Sequence, residues 1–158
     1  YRIVVSSCMS VRNNNVGLSF DLSIFDVWKC RLLDTQVGIN LTRMNYLTAA
    51  NPAWITVNDI AGGLVGVLLD SSIILLPPFQ LDAPNLRITQ NNLTGHGAVG
   101  KYGIQVTAPS PRASVDAKSN WWGRRQGPNP PGSEGVDLAA DNVTLGVDYV
   151  PPLRNARP

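Results

Sequence analysis

At 158 residues, with 44% hydrophobic and only 15% charged side chains, the chain can bury one core and is most simply a single domain. The formal net charge is +2, and Arg112, Arg124, Arg125, Arg154 and Arg157 gather in the last third without interleaved stacking residues, which argues against a nucleic-acid partner. No apolar run reaches the roughly 18 residues of a membrane span, because Ile73-Ile74-Leu75-Leu76 is stopped by Pro77-Pro78.

The chain opens on an apolar stretch, Tyr1-Arg2-Ile3-Val4-Val5, with neither an initiating Met nor a signal peptide. A processed product or the C-terminal piece of a longer protein would begin this way. Two blocks then recur. The first is Val27-Trp28-Lys29-Cys30-Arg31-Leu32, repeated as Ile55 to Ile60 and Ile88 to Leu93. Ser6 to Val11 reads as a degenerate first copy and Ala117 to Trp122 as the last. Apolar residues hold the first and sixth positions, and Asn58, Asn91 and Asn120 hold the fourth. Strict alternation would send the first and sixth positions to opposite faces, so a bend near the fourth is predicted. Asn suits it through its tolerance of the left-handed conformation.

The second block follows each bend as a Gly-led strand: Val16-Gly17-Leu18-Ser19-Phe20, Val37 to Leu41, Val65 to Leu69 and Tyr102 to Val106. The glycines lie 21, 28 and 37 residues apart, so the unit recurs while the loops vary. The variable segments are Thr42 to Ala53 and the proline-containing Leu75 to Asn85. Stacking the units puts Leu18, Ile39, Val67 and Ile104 in one apolar inward column, and Phe20, Leu41, Leu69 and Val106 in a second. Ser19, Asn40, Leu68 and Gln105 point outward, as do Asp21, Thr42, Asp70 and Thr107. Repeats that cannot bury an apolar face alone mark a solenoid. The expected fold is all-β: a single-stranded parallel β-helix of about five turns over residues 1–123, with a Pro/Gly-rich tail, 124–158, laid along its side. Val143, Leu145, Val147 and Tyr149 alternate, so the tail is expected to add a strand before Pro151-Pro152 ends it.

Together the asparagine bends, the Gly-led strands and the Asn120-Trp121-Trp122-Gly123 closure resemble the parallel β-helix proteins of the pectin-lyase-like superfamily. Gly127-Pro128 and Val147-Asp148-Tyr149-Val150-Pro151-Pro152-Leu153 stand where that family finishes its domain, with Pro152 in place of its usual Trp. The resemblance implies the fold over about residues 3–153, and right-handed winding agrees with the general crossover preference. It says little about activity, because this scaffold hosts lyases, hydrolases, epimerases, adhesins and structural proteins.

The candidate sites follow. Asp21 and Asp70 lie two rungs apart, about 9.6 Å, near the upper limit for an inverting carboxylate pair. Asp at a strand end also initiates turns. His96, in Gly95-His96-Gly97, is similar to a polygalacturonase signature, but that family's Asn-Thr-Asp, Asp-Asp and Arg-Ile-Lys motifs are absent. Trp28 and Trp54 are candidates for outward stacking on sugar rings, whereas Trp121 and Trp122 fit a plug at the last rung. The outward Asn40, Thr42, Gln105 and Thr107 could hydrogen-bond sugar hydroxyls. Acidic residues are scattered, so no metal or other cofactor is expected. Asn-x-Thr sequons stand at Asn40, Asn92 and Asn142. Cys8 and Cys30 are 22 residues apart, about one turn, which leaves open a disulfide or two buried thiols; the block alignment sets them one residue out of register.

The function expected first is a non-enzymatic structural or adhesive module, extracellular or at the cell surface. It would contact glycans and assemble with copies of itself or with upstream β-helix turns through an uncapped first rung. The alternative is a polysaccharide-acting lyase or inverting glycoside hydrolase, or the C-terminal fragment of one.

Overall fold

The computed structural model describes residues 1–12, 15–21, 23–42, 47, 50–70, 85–107, 115–145 and 147–156. Residues 75–84 of the expected Leu75 to Asn85 loop and half of Thr42 to Ala53 lie outside them. Among the described residues the chain is a parallel β-helix of fourteen strands without an α-helix. Turn one comprises β1 (Arg2–Ser6), β2 (Met9–Val11) and β3 (Val16–Asp21), and turn two β4 (Ile24–Trp28), β5 (Arg31–Leu33) and β6 (Val37–Thr42). Turn three is β7 (Ala53–Thr56), β8 (Asp59–Ala61) and β9 (Val65–Asp70), and turn four β10 (Leu86–Thr89), β11 (Asn92–Thr94) and β12 (Tyr102–Val106). Two short strands follow, β13 (Val115–Asp116) and β14 (Val147–Asp148). Equivalent strands stack into three sheets, ordered β1-β4-β7-β10-β13-β14, β2-β5-β8-β11 and β3-β6-β9-β12.

Pairing places Leu18 beside Ile39, Ile39 beside Val67, and Val67 beside Ile104, so the expected inward column exists. Phe20, Leu41, Leu69 and Val106 form the second, and all four are buried. The bend blocks supply Val27-Ile55-Ile88 and Leu32-Ile60-Leu93 from the other two sheets, so three apolar faces meet along the axis. Burying each such side chain stabilises the fold by about 1.5–3 kcal/mol. The three faces pack on one another along the axis, which ties each turn to its neighbours.

The glycine that leads each strand is a spacing device. A Cβ built on Gly17, Gly38 or Gly66 would lie 2.7, 2.5 or 2.6 Å from the carbonyl oxygen of the next rung's glycine. These backbones approach too closely for any side chain, which accounts for the recurring Val/Tyr-Gly pair.

The bend is built differently from the sequence expectation. The left-handed residue is the third of the block, not the asparagine: Ser7, Lys29, Val57, Gln90 and Ser119 have φ of 52°, 54°, 59°, 61° and 57°. The fourth residue turns inward and forms a ladder. Asn58 Oδ1 accepts from Cys30 N at 2.9 Å, Asn91 Oδ1 from Asn58 N at 2.9 Å, and Asn120 Oδ1 from Asn91 N at 2.8 Å. The Nδ2 groups donate to the carbonyls of Val27, Ile55 and Ile88 on neighbouring strands. Each buried amide thus satisfies main-chain groups that a bend would otherwise strand away from water.

The first copy also shifts. Val5 pairs with Val27 and Ser6 with Trp28, so the block runs from Val5 to Ser10, not from Ser6 to Val11. With Met9 opposite Arg31, Cys8 falls in register with Cys30. Both occupy the ladder position and both are thiols, Cys30 buried and Cys8 half-buried.

Beyond residue 123 the tail prolongs the coil. Val143 bridges to Ile104, and Val147-Asp148 pairs with Val115-Asp116. Ser119 N and Leu153 N donate to Pro151 O and Asn120 O at 2.7 and 2.8 Å. Trp122 is fully buried and meets Tyr149 edge-on at 6.5 Å, while Trp121 is half-buried. The last rung is therefore covered.

Candidate functional site

Alternation along β4 and β7 buries Phe25, Val27, Ala53 and Ile55 and turns Trp28 and Trp54 outward. Trp54 pairs with Asp26, and Trp28 with Thr56, so the two indoles are diagonal neighbours on the outer face of the six-stranded sheet. Strand spacing and rise put their backbones about 8 Å apart. Each indole carries a cation on one face: Lys29 Nζ lies 4.8 Å from the Trp28 ring centre, and Arg87 Cζ 4.7 Å from that of Trp54. Among the described residues neither cation has a carboxylate partner within ion-pair distance.

Lys29 also leads into a groove of about 490 Å³ outside the bend, lined by Lys29, Arg31, Val57, Asn58, Asp59 and Asn92. Three successive rungs build it, because the left-handed third residues, Lys29 and Val57, direct the chain outward before the ladder residue turns in. Arg31 Nε and Asp59 Oδ2 are 3.4 Å apart across it, an exposed pair worth less than about 1 kcal/mol and easily opened by a ligand. Trp28, the Lys29 ammonium and a set of donors and acceptors thus form one continuous surface. It fits a ring with one apolar face and a polar rim.

The other candidates are not brought into it. Asn40, Leu68 and Gln105 do stack in register with Ser19, but on the outer face of the β3-β6-β9-β12 sheet, where Asn40 and Gln105 are half-buried. Among the described residues the buried Asn40 Oδ1 has no hydrogen-bond partner. Asp21, Thr42 and Asp70 follow one another at the ends of those strands. Thr42 Oγ1 donates to Asp21 Oδ1 at 2.8 Å and Thr107 Oγ1 to Asp70 Oδ1 at 3.2 Å, so each carboxylate is joined to the threonine of the next rung.

His96 is not a surface residue. It is fully buried, with Nδ1 3.0 Å from Asp141 Oδ2 and its main-chain N donating to Asp141 Oδ1 at 2.8 Å. The imidazole so placed is enclosed away from the surface. The pair instead ties the tail to the fourth turn, below the glycine column: Asp141 would meet a Cβ added at Gly103. Asn142, one of the sequon residues, is likewise buried and donates to Ala98 O and Lys101 O. Among the described residues no three His, Cys, Asp or Glu side chains cluster as metal ligands.

The outward direction expected for Trp28 and Trp54 is what the structure has, whereas the neighbouring Lys29, Arg31, Asp59 and Arg87 are not among the residues singled out from the sequence. Adjacency of Lys29 to Trp28 was the available signal; Arg31 lies past the bend on the same turn, and Asp59 and Arg87 sit one and two rungs away. No protein-family model matches the chain, and comparison with curated proteins and with solved structures gives no significant match.

Proposed function

We propose that the chain is a non-catalytic structural and adhesive β-helix module, extracellular or at the cell surface, that contacts glycans through Trp28, Trp54 and the adjoining groove. The observation that carries this reading is the continuity of the exposed Trp28 indole, Lys29 and a groove with charged and amide walls. A pyranose can lay its C–H face on the free side of an indole while its hydroxyls reach the groove. The pectin-lyase-like resemblance, with its right-handed winding and its Asn120-Trp121-Trp122-Gly123 closure, accords with a setting among polysaccharides.

The enzyme reading has less support, since His96 is buried and each of the two carboxylates accepts a hydrogen bond from a threonine. Glycan-affinity electrophoresis tests the choice. Retardation without release of reducing ends or unsaturated uronates, lost in Trp28→Ala and weakened in Lys29→Ala, is the expected result. Turnover abolished by Asp70→Asn would instead establish the enzyme.

A specific observation favours stacking at the first rung. Among the described residues β1, β2 and β3 each pair on one side only, and Ile3, Val4 and Met9 are exposed there. Head-to-tail growth needs two complementary ends, and the opposite end is covered. The occupant proposed for this edge is a further parallel turn, supplied by upstream β-helix sequence or by another copy of the chain.

A further inference from the structure

The ladder position obeys one rule in the lower three rungs and breaks it, the same way, in the upper two: Asn120, Asn91, Asn58, then Cys30 and Cys8. Cys30 takes over the asparagine's role with a poorer acceptor, since Cys8 N donates to its Sγ at 3.4 Å. Sulfur is a weak acceptor, so polarity alone gives no reason for cysteine at two consecutive rungs. Geometry gives one. The two residues are in register on adjacent parallel turns, and strand spacing of about 4.8 Å falls within the roughly 4.4–6.8 Å Cα separation of disulfides. Both side chains point into the same bend, and the Cys30 sulfur already faces the first turn.

We propose that Cys8 and Cys30 form a thiol–disulfide site that bolts the first turn to the second when a small disulfide of the glutathione class is the oxidant. The Cys8 thiolate attacks one glutathione sulfur, making a mixed disulfide and releasing one glutathione thiolate. The Cys30 thiolate then attacks Cys8 Sγ and expels the second. The protein loses two electrons and two protons, which leave on two glutathione thiols. Cys8 acts first because it is half-buried whereas Cys30 is 1% exposed. Burial, reinforced by the hydrogen bond and charge of Cys30, pushes the Cys8 thiol up to about 12. Little thiolate therefore exists near neutrality, so the bond forms slowly and faster as pH rises.

The test exposes the full native chain to oxidised glutathione. Both thiols are expected to disappear, the mass to fall by two hydrogen atoms, and tryptic peptides 3–12 and 30–31 to be recovered joined. Closing this loop should raise the thermal midpoint by roughly 5–10 °C, reversed by dithiothreitol. Cys30→Ser should stop at a mixed disulfide on Cys8, and Cys8→Ser should not react. Native wild type that keeps both thiols overturns the proposal. So does wild type that ends as a glutathione adduct on Cys8, or that forms the bond only after denaturation.

Discussion

The two ends of this solenoid are made of the same repeat and have opposite character. At the first turn, Arg2–Ser6 is exposed at all but one position, and its ladder residue is a half-buried thiol. At the last turn, Trp122 and Asn120 are fully buried, and main-chain donors at Ser119 and Leu153 are bonded in the crossing between the last bend and the tail. The difference shows that a repeat does not carry its own stability. The sequence of a rung fixes its shape, and the neighbour on each side determines how much that shape contributes.

This contrast can be broken at matched positions. Trp122→Ala at the covered end should cost about 3–5 kcal/mol, whereas Ile3→Ala at the open end should stay within about 0.5 kcal/mol; urea denaturation of both variants measures the gap. Within the ladder, Asn91→Ala removes an acceptor and a donor that serve the main-chain groups of Asn58, Ile55 and Thr89, a loss of about 3 kcal/mol. Cys8→Ala should lie within about 1 kcal/mol, because among the described residues no rung above draws on its sulfur. Asp141→Ala strands the buried His96 and should cost about 2–4 kcal/mol. Limited proteolysis should then cut near residues 137–143 before the solenoid opens. The smallest effect expected is a gain: Val57, a β-branched residue at φ 59°, should yield about 0.5–1 kcal/mol on change to Asn. A loss there would show that the Val57 side chain packs more usefully than its backbone suffers.

The inward columns were legible in the sequence because alternation is a two-residue signal that survives loops of any length. Val16 to Phe20 and Tyr102 to Val106 announce the same strand across four turns without agreeing at most positions. The asparagines were legible as a bend but not as a ladder, since their partners lie a whole turn away. The left-handed residue was not legible at all, because Ser7, Lys29, Val57, Gln90 and Ser119 share no chemistry. Nor was the first copy's register, where the absence of Asn let the alignment slip by one. His96 and Asp141 are 45 residues apart, and no local pattern joins a glycine-rich loop to a proline-rich tail. The groove failed for the same reason: its charges come from different rungs.

The ladder's main-chain donors all run one way, each N–H reaching for the side-chain oxygen or sulfur of the turn that follows it in sequence, while each asparagine Nδ2 reaches back to a carbonyl of the turn before. Removing a turn from the N-terminal side therefore deletes a main-chain donor and, from the second turn on, also the carbonyl that the next asparagine's Nδ2 uses. Trimming from the other side takes away an acceptor and orphans the N–H that relied on it. Loss of the first turn, which supplies no carbonyl to an asparagine Nδ2, is accordingly tolerated better than loss of the last.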